Sequence, residues 1–160
     1  MTVLAHYVLL LALLTSVSSA VLYFRAASTR DERLTVPRAL LLSSVSLVVI
    51  ACAILIVLLV RHDFSNAYVY GYSDRSLPLH FLLSAFYAGQ EGSFLFWSLC
   101  SSLIALWLMR SRSATPAVLT VYLFVNSMLL LLVFTKSPFH LIWDTYAQVA
   151  VGQIPADGHG

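Results

Sequence analysis

Charge is what this sequence has least of. Of 160 residues, nine are Lys or Arg and seven are Asp or Glu, so charged residues make up 10% of the chain. Soluble domains carry about 25%. That scarcity, with 60% hydrophobic residues and a mean hydropathy of +0.88, excludes a disordered chain and a soluble α/β enzyme. The net charge of +2 is too small and too dispersed for a basic nucleic-acid-binding face, so no nucleic-acid partner is expected. Cysteine is nearly absent. Cys52 and Cys100 lie far apart inside apolar stretches with no C-x-x-C, and read as small embedded hydrophobes. There is no Gly-rich phosphate loop, nucleophile elbow or zinc motif. The five histidines, His6, His62, His80, His140 and His159, show no metal-ligand spacing within a helix, so no metal site is expected.

What is present is long uncharged sequence. Leu4–Phe24, Ala39–Val60, Ser93–Met109 and Ala117–Phe134 hold no Asp, Glu, Lys or Arg. About 20 apolar residues cross the hydrocarbon core as a helix, with a tolerated range of roughly 17–25. The expected fold is all-α: one polytopic membrane domain over residues 1–160 with four transmembrane helices. The first stretch reads as a retained span, because residues 1–5 lack a basic residue and the apolar run exceeds a signal-peptide core. Thr35 with Pro37, and Thr115 with Pro116, suit helix starts. Asn126, midway along the fourth span, is expected to hydrogen-bond a neighbouring helix.

Arginine sets the expected orientation. Arg25, Arg30, Arg33 and Arg38, beside Asp31 and Glu32, flank the first loop, and Arg110 and Arg112 fall in the third. Arg61, Arg75 and Lys136 are left for the second loop and the tail. Loops one and three are therefore expected to be cytoplasmic. Both termini, the long loop 61–92 and the tail 135–160 are expected outside. Bare spans argue against a transporter or channel subunit, which would carry ionisable residues mid-membrane. An accessory subunit of a respiratory or transport complex fits the same composition.

The outer loop carries the most information. Tyr68, Tyr70 and Tyr72, spaced by two, read as an interfacial aromatic belt or as an extended segment with one aromatic face. Leu77 to Ala88 is apolar but too short to span. His80, Ser84, Tyr87 and Glu91 fall on one helical face, with Leu79, Leu82, Leu83 and Phe86 on the other. This predicts an amphipathic helix in the outer interface, or else one long kinked helix from Leu77 to Met109. Gly89, Gln90, Glu91, Gly92 and Ser93 form a turn in which Ser93 caps the third span and Glu91 complements its dipole. The alternative is that these polar groups face a ligand or partner.

Those residues resemble the N-terminal region of the CcmF/NrfE family, heme lyase subunits of cytochrome c maturation. In order along the loop, Asp63, Phe64, Ser65, Tyr68, Val69, Ser73, Leu77, Pro78, Ala85, Glu91, Gly92, Ser93, Leu95 and Trp97 follow the family pattern. Beyond the fourth span, Thr135, Pro138 and Phe139 resemble its T-S-N-P-F, and Pro155, Asp157 and Gly158 its P-x-E-G. Tyr87, Ala88, Phe81 and Lys136 depart from it where the family has Trp, Gly, Tyr and Ser. Family members are several times longer, and their heme-handling histidines and Trp-rich loop have no counterpart here.

The resemblance implies a split subunit or N-terminal part of a cytochrome c heme lyase, which does not catalyse alone. It implies heme b in the assembled complex, with ligands outside this chain. The implied partners are the rest of the lyase on another chain, a membrane-anchored heme chaperone, apocytochrome c, thiol-handling maturation subunits and the lipid bilayer. The implied location is a bacterial inner membrane, or less directly the mitochondrial one, with periplasmic termini. Arg75, Glu91 and Trp97 are the candidates for facing heme or a partner. Tyr68, Tyr70, Tyr72, Gly89, Gln90, Gly92 and Ser93 are candidates for partner contact.

Overall fold

A computed structural model describes residues 1–29, 33–111, 114–146 and 151–158. Arg30, Asp31, Glu32, Arg112 and His159 lie outside the described residues. The order of elements is α1 (Thr2–Thr29), α2 (Thr35–Val60), α3 (Ala67–Tyr72), α4 (Leu79–Ala85), α5 (Gln90–Arg110), α6 (Pro116–Thr135) and α7 (Ile142–Thr145). Four of these, α1, α2, α5 and α6, are long and apolar enough to cross a membrane. The described residues contain no strand, only an isolated bridge between Asn66 and Leu141.

Each span extends past its uncharged stretch, because a helix ends where capping and geometry end it. The α6 start is as expected. Pro116 occupies the first turn, and the Thr115 hydroxyl accepts the Val118 N–H at 3.4 Å. The α5 start differs from the expectation. Its N-cap is Gly89, in extended conformation, and the helix begins at Gln90. The Ser93 hydroxyl does not cap it but donates to the Tyr87 carbonyl at 2.8 Å, tying the turn down from inside the helix.

The four spans form a bundle in which α1 packs on α2 and α6, and α5 closes the far side against α2 and α6. Small residues let α1 approach its neighbours. Ala5, Ala12, Ser16, Ser19 and Ala20 are all buried on it, the pattern that substitutes for a hydrophobic driving force in lipid. Polar bonds lock the contacts. The Ser44 hydroxyl donates to the Ala12 carbonyl (2.9 Å), Ser16 and Ser127 share a hydrogen bond (2.9 Å), and the Ser19 hydroxyl donates to the Pro37 carbonyl (2.8 Å). Asn126 meets its expectation, its amide reaching the Ser16 hydroxyl at 3.4 Å. Cys52 and Cys100 are both free thiols.

This arrangement leaves the bundle with two unlike ends. The connections near 30–34 and 111–115 are short. The opposite end carries the N-terminus, the 61–89 connection and residues 136–146 and 151–158, which fold together as a cap.

Candidate functional site

The cap is assembled by side chains bonding to backbone. Asn66, fully buried at 0% exposure, caps α3 by accepting the Val69 N–H at 3.0 Å and donates its amide to the Pro138 carbonyl at 2.9 Å. The Ala67 N–H donates to the His140 carbonyl (2.9 Å), and the Ile142 N–H to the Ser65 carbonyl (3.0 Å). Ser65 in turn donates its hydroxyl to the Asp63 carboxylate at 2.6 Å. The segment after α6 is thus laced to the start of the long connection. The chain's last described stretch joins them. Asp157 accepts the Arg75 backbone N–H at 3.0 Å, and Gly158 packs on Ser73 and Phe64.

The tyrosines lie on a helix, α3, which overturns the extended-segment expectation. Spacing by two over five residues looks the same in either conformation, but only a helix puts Tyr68 and Tyr72 on one face and Tyr70 opposite. Tyr68 and Tyr72 stack with centroids 4.7 Å apart, whereas Tyr70 meets Tyr146 edge-on at 5.0 Å. Tyr68 is buried. Its hydroxyl donates to the Ala85 carbonyl at 2.9 Å, with the Phe86 carbonyl at 3.2 Å, and accepts the Gly89 N–H at 3.0 Å. One phenol therefore pins the whole turn between α4 and α5. Burial pushes its pKa up to about 12.

That pinning explains two glycines. A Cβ at Gly89 would come within 2.8 Å of the Tyr68 ring, and one at Gly92 would overlap the Phe86 carbonyl and the Tyr68 hydroxyl. The turn also rules out a single long helix from Leu77 to Met109. The expected amphipathic helix is present but shorter, over α4 alone. Leu82, Ala85 and Phe86 are buried, and Leu82 and Phe86 face Ile56, Leu59 and Val60 of α2. Leu79 and Leu83, on the face expected to be apolar, are exposed with Phe81.

Two cavities open in the cap. The smaller, about 150 Å³, is lined by Tyr68, Tyr72, Glu91, Ser137, His140 and Tyr146, with Ala67, Pro138 and Thr145. The larger, about 380 Å³, is lined by His6, His140 and Asp144 among Val3, Tyr7, Leu10, Phe134, Phe139 and Leu141. His6 and His140, far apart in sequence, lie with ring centroids 6.2 Å apart, and His6 rests on Phe134 at 4.8 Å. No local spacing signals that meeting. Among the described residues, no group of three or more His, Cys, Asp or Glu is arranged to hold a metal.

Of the three residues singled out for heme or a partner, only Glu91 lines a cavity. It stands in the first turn of α5, where the helix dipole favours its charge. Arg75 is exposed at the cap's edge. The Asp74 carboxylate beside it turns back on Ser76, whose hydrogen bonds hold it below the usual range. Trp97 is 62% exposed on the outer face of α5, next to Phe96. These three do not converge on one space, and the Glu91 cavity holds only a few waters' volume at roughly 30 Å³ each. They do not together form a heme pocket. Asn66 was not singled out from sequence, although an Asn just before a short helical run is a recognisable N-cap signal.

Fold and cap together define an all-α, multi-pass membrane protein. No family model matches the chain, and no solved structure matches it. The chain is similar to the cytochrome c-type biogenesis protein CcmF of Pseudomonas fluorescens, at 36% identity over 106 residues. The match covers 61% of this chain and 14% of that relative, so the chain corresponds to a small part of the relative's length. The chain is thereby related to the CcmF family. The stretches that carry the resemblance in sequence, 63–97, 135–139 and 155–158, are among those that interlock in the cap.

Proposed function

We propose that this chain acts in cytochrome c maturation, supplying membrane scaffold and a platform at the cap end of a heme lyase assembly. The observation that carries this reading is the coincidence of resemblance and structure. The residues shared with the CcmF pattern include Ser65, Tyr68, Gly92, Pro138 and Asp157, and these are the ones that tie the cap together. A surface held by so many specific polar contacts is built to keep one shape, which suits positioning a partner rather than merely filling lipid.

In this reading the cap faces the periplasm of a bacterial inner membrane, as the arginine distribution suggests. Its partners are the rest of the lyase, a membrane-anchored heme chaperone, apocytochrome c and the thiol-handling subunits. Heme is held by ligands on other segments of the assembly. Exposed Arg75 and Trp97, with Tyr70, Gln90 and the rim of the 86–93 turn, are the contact surface. Glu91 bears the same sign as heme propionates, so its contact is a cationic group.

The test is to delete the gene in its own host and quantify covalently bound heme by pyridine hemochrome. Loss of c-type heme with b-type heme retained is the expected result, restored by the gene in trans. Unchanged c-type heme would sink the proposal.

A further inference from the structure

The Glu91 cavity carries an inference that does not rest on the heme lyase reading. Glu91 is half-buried and has no hydrogen bond or ion pair among the described residues. A carboxylate drawn partly out of water without a counter-ion is costly. Around it stand three tyrosine rings, Tyr68, Tyr72 and Tyr146, whose faces attract cations. Tyr68 and Tyr72 come from α3, Glu91 from the start of α5 and Tyr146 from the segment following α7, so the grouping is built by the fold. Burial first, then the neighbouring Tyr72 and Tyr70, and then the Glu91 charge raise the Tyr146 pKa.

Depth and size narrow the cation. The 21 residues of α5 extend about 31 Å at 1.5 Å per residue, close to the roughly 30 Å hydrocarbon thickness. Glu91, second in that helix, therefore stands at headgroup depth. Leu79, Phe81 and Tyr87 are exposed beside the turn, as expected of a flank that meets lipid. The cavity, about 150 Å³, admits an ammonium on a short carbon chain and little more. Lys136, exposed next to the lining residue Ser137, supplies a cation for an adjoining phosphate. We propose that this cavity binds the primary ammonium of an aminophospholipid headgroup, with the Glu91 carboxylate as its counter-ion and the tyrosine rings as its walls. A primary ammonium donates hydrogen bonds to the carboxylate, which a choline headgroup cannot do.

The full chain is reconstituted in nanodiscs of mixed phosphatidylethanolamine and phosphatidylcholine, and co-purifying lipid is counted by native mass spectrometry. The chain should retain phosphatidylethanolamine about fivefold over phosphatidylcholine, within what charge-assisted hydrogen bonds from the ammonium to the Glu91 carboxylate supply, since aromatic faces hold a quaternary ammonium as well. Glu91→Gln should abolish the preference and Tyr146→Leu should lower the phosphatidylethanolamine retained about twofold, with helical circular dichroism unchanged. Tyr146→Leu and Lys136→Gln keep the test open if Glu91→Gln misfolds, since each removes a wall or phosphate contact of the cavity and should lower the amount of phosphatidylethanolamine retained; unchanged retention in both overturns the proposal. Equal retention of the two lipids, or a preference that survives Glu91→Gln, overturns the proposal. So does Glu91-dependent binding of a lysine-containing peptide without lipid selection, which would make the cavity a protein-docking site.

Discussion

The bundle and the cap solve the same problem, holding helices and loops in register, by different means. In the bundle, close approach of small residues does the positioning, and polar bonds are few. It even leaves buried polar atoms without partners among the described residues: the hydroxyls of Ser98 and Ser102 and the Asn126 carbonyl oxygen. In the cap, nearly every buried polar side chain meets backbone. Tyr68 bonds to Ala85 and Gly89, Asn66 to Val69 and Pro138, and Ser73 to the Val69 carbonyl at 2.7 Å. The exception is His62, whose Nδ1 is buried without a partner and whose backbone is left-handed at φ 50°. The difference teaches where specificity lies. Lipid-facing spans tolerate many apolar sequences, whereas the cap depends on particular residues at particular places.

The largest break in that comparison should come from Gly92→Val. The added carbons overlap the Phe86 carbonyl and Tyr68 hydroxyl, and overpacking of this kind costs about 1–3 kcal/mol or more. Limited trypsinolysis at Arg61 and Arg75 should accelerate sharply while the spans stay protected. If cleavage rates match the unmodified chain, the turn is not clamped as described.

Tyr68→Phe should follow. It leaves the Gly89 N–H unpaired and takes from the Ala85 carbonyl one of its two donors, the other being the Ala88 N–H, for about 1–3 kcal/mol, read as faster hydrogen exchange over 85–92. The same phenol gives a pH signature. Its folded pKa is raised to about 12 by burial, above the ordinary value near 10. The folded state then holds this proton more tightly, so its contribution is intact below about pH 10 and is lost as pH rises towards 12. Exchange in the cap, divided by the base-catalysed rate of an unfolded peptide at the same pH, should increase across that window, and much less so in Tyr68→Phe.

The smallest effect belongs to the bundle. Ser16→Ala removes one hydrogen bond to Ser127 and another from Asn126, and interhelical bonds in membranes average about 0.6 kcal/mol. A thermal midpoint in detergent should barely move. A loss as large as that of Tyr68→Phe would erase the contrast between the two regions.

The bundle was readable from sequence because its signals are local and long. Uncharged runs give spans, Thr115 before Pro116 gives a helix start, and an Asn within a span implies an interhelical bond. The cap was readable only in outline. Its turn residues were found, but Ser93 was placed as the cap of a helix that starts three residues earlier. A serine near a helix start fits either role until the turn's path is known. The tyrosine spacing fits strand and helix alike. The meetings of Asn66 with Pro138 and of His6 with His140 join segments whose separation leaves no periodic trace.

The central claim is that the cap serves cytochrome c maturation, and the most direct measurement is covalent c-type heme in cells whose only copy of this chain carries Gly92→Val. With the variant's membrane level matched to that of the unmodified chain, pyridine hemochrome should show c-type heme reduced well below the unmodified strain, with b-type heme unchanged. Full c-type heme at matched level would contradict the account.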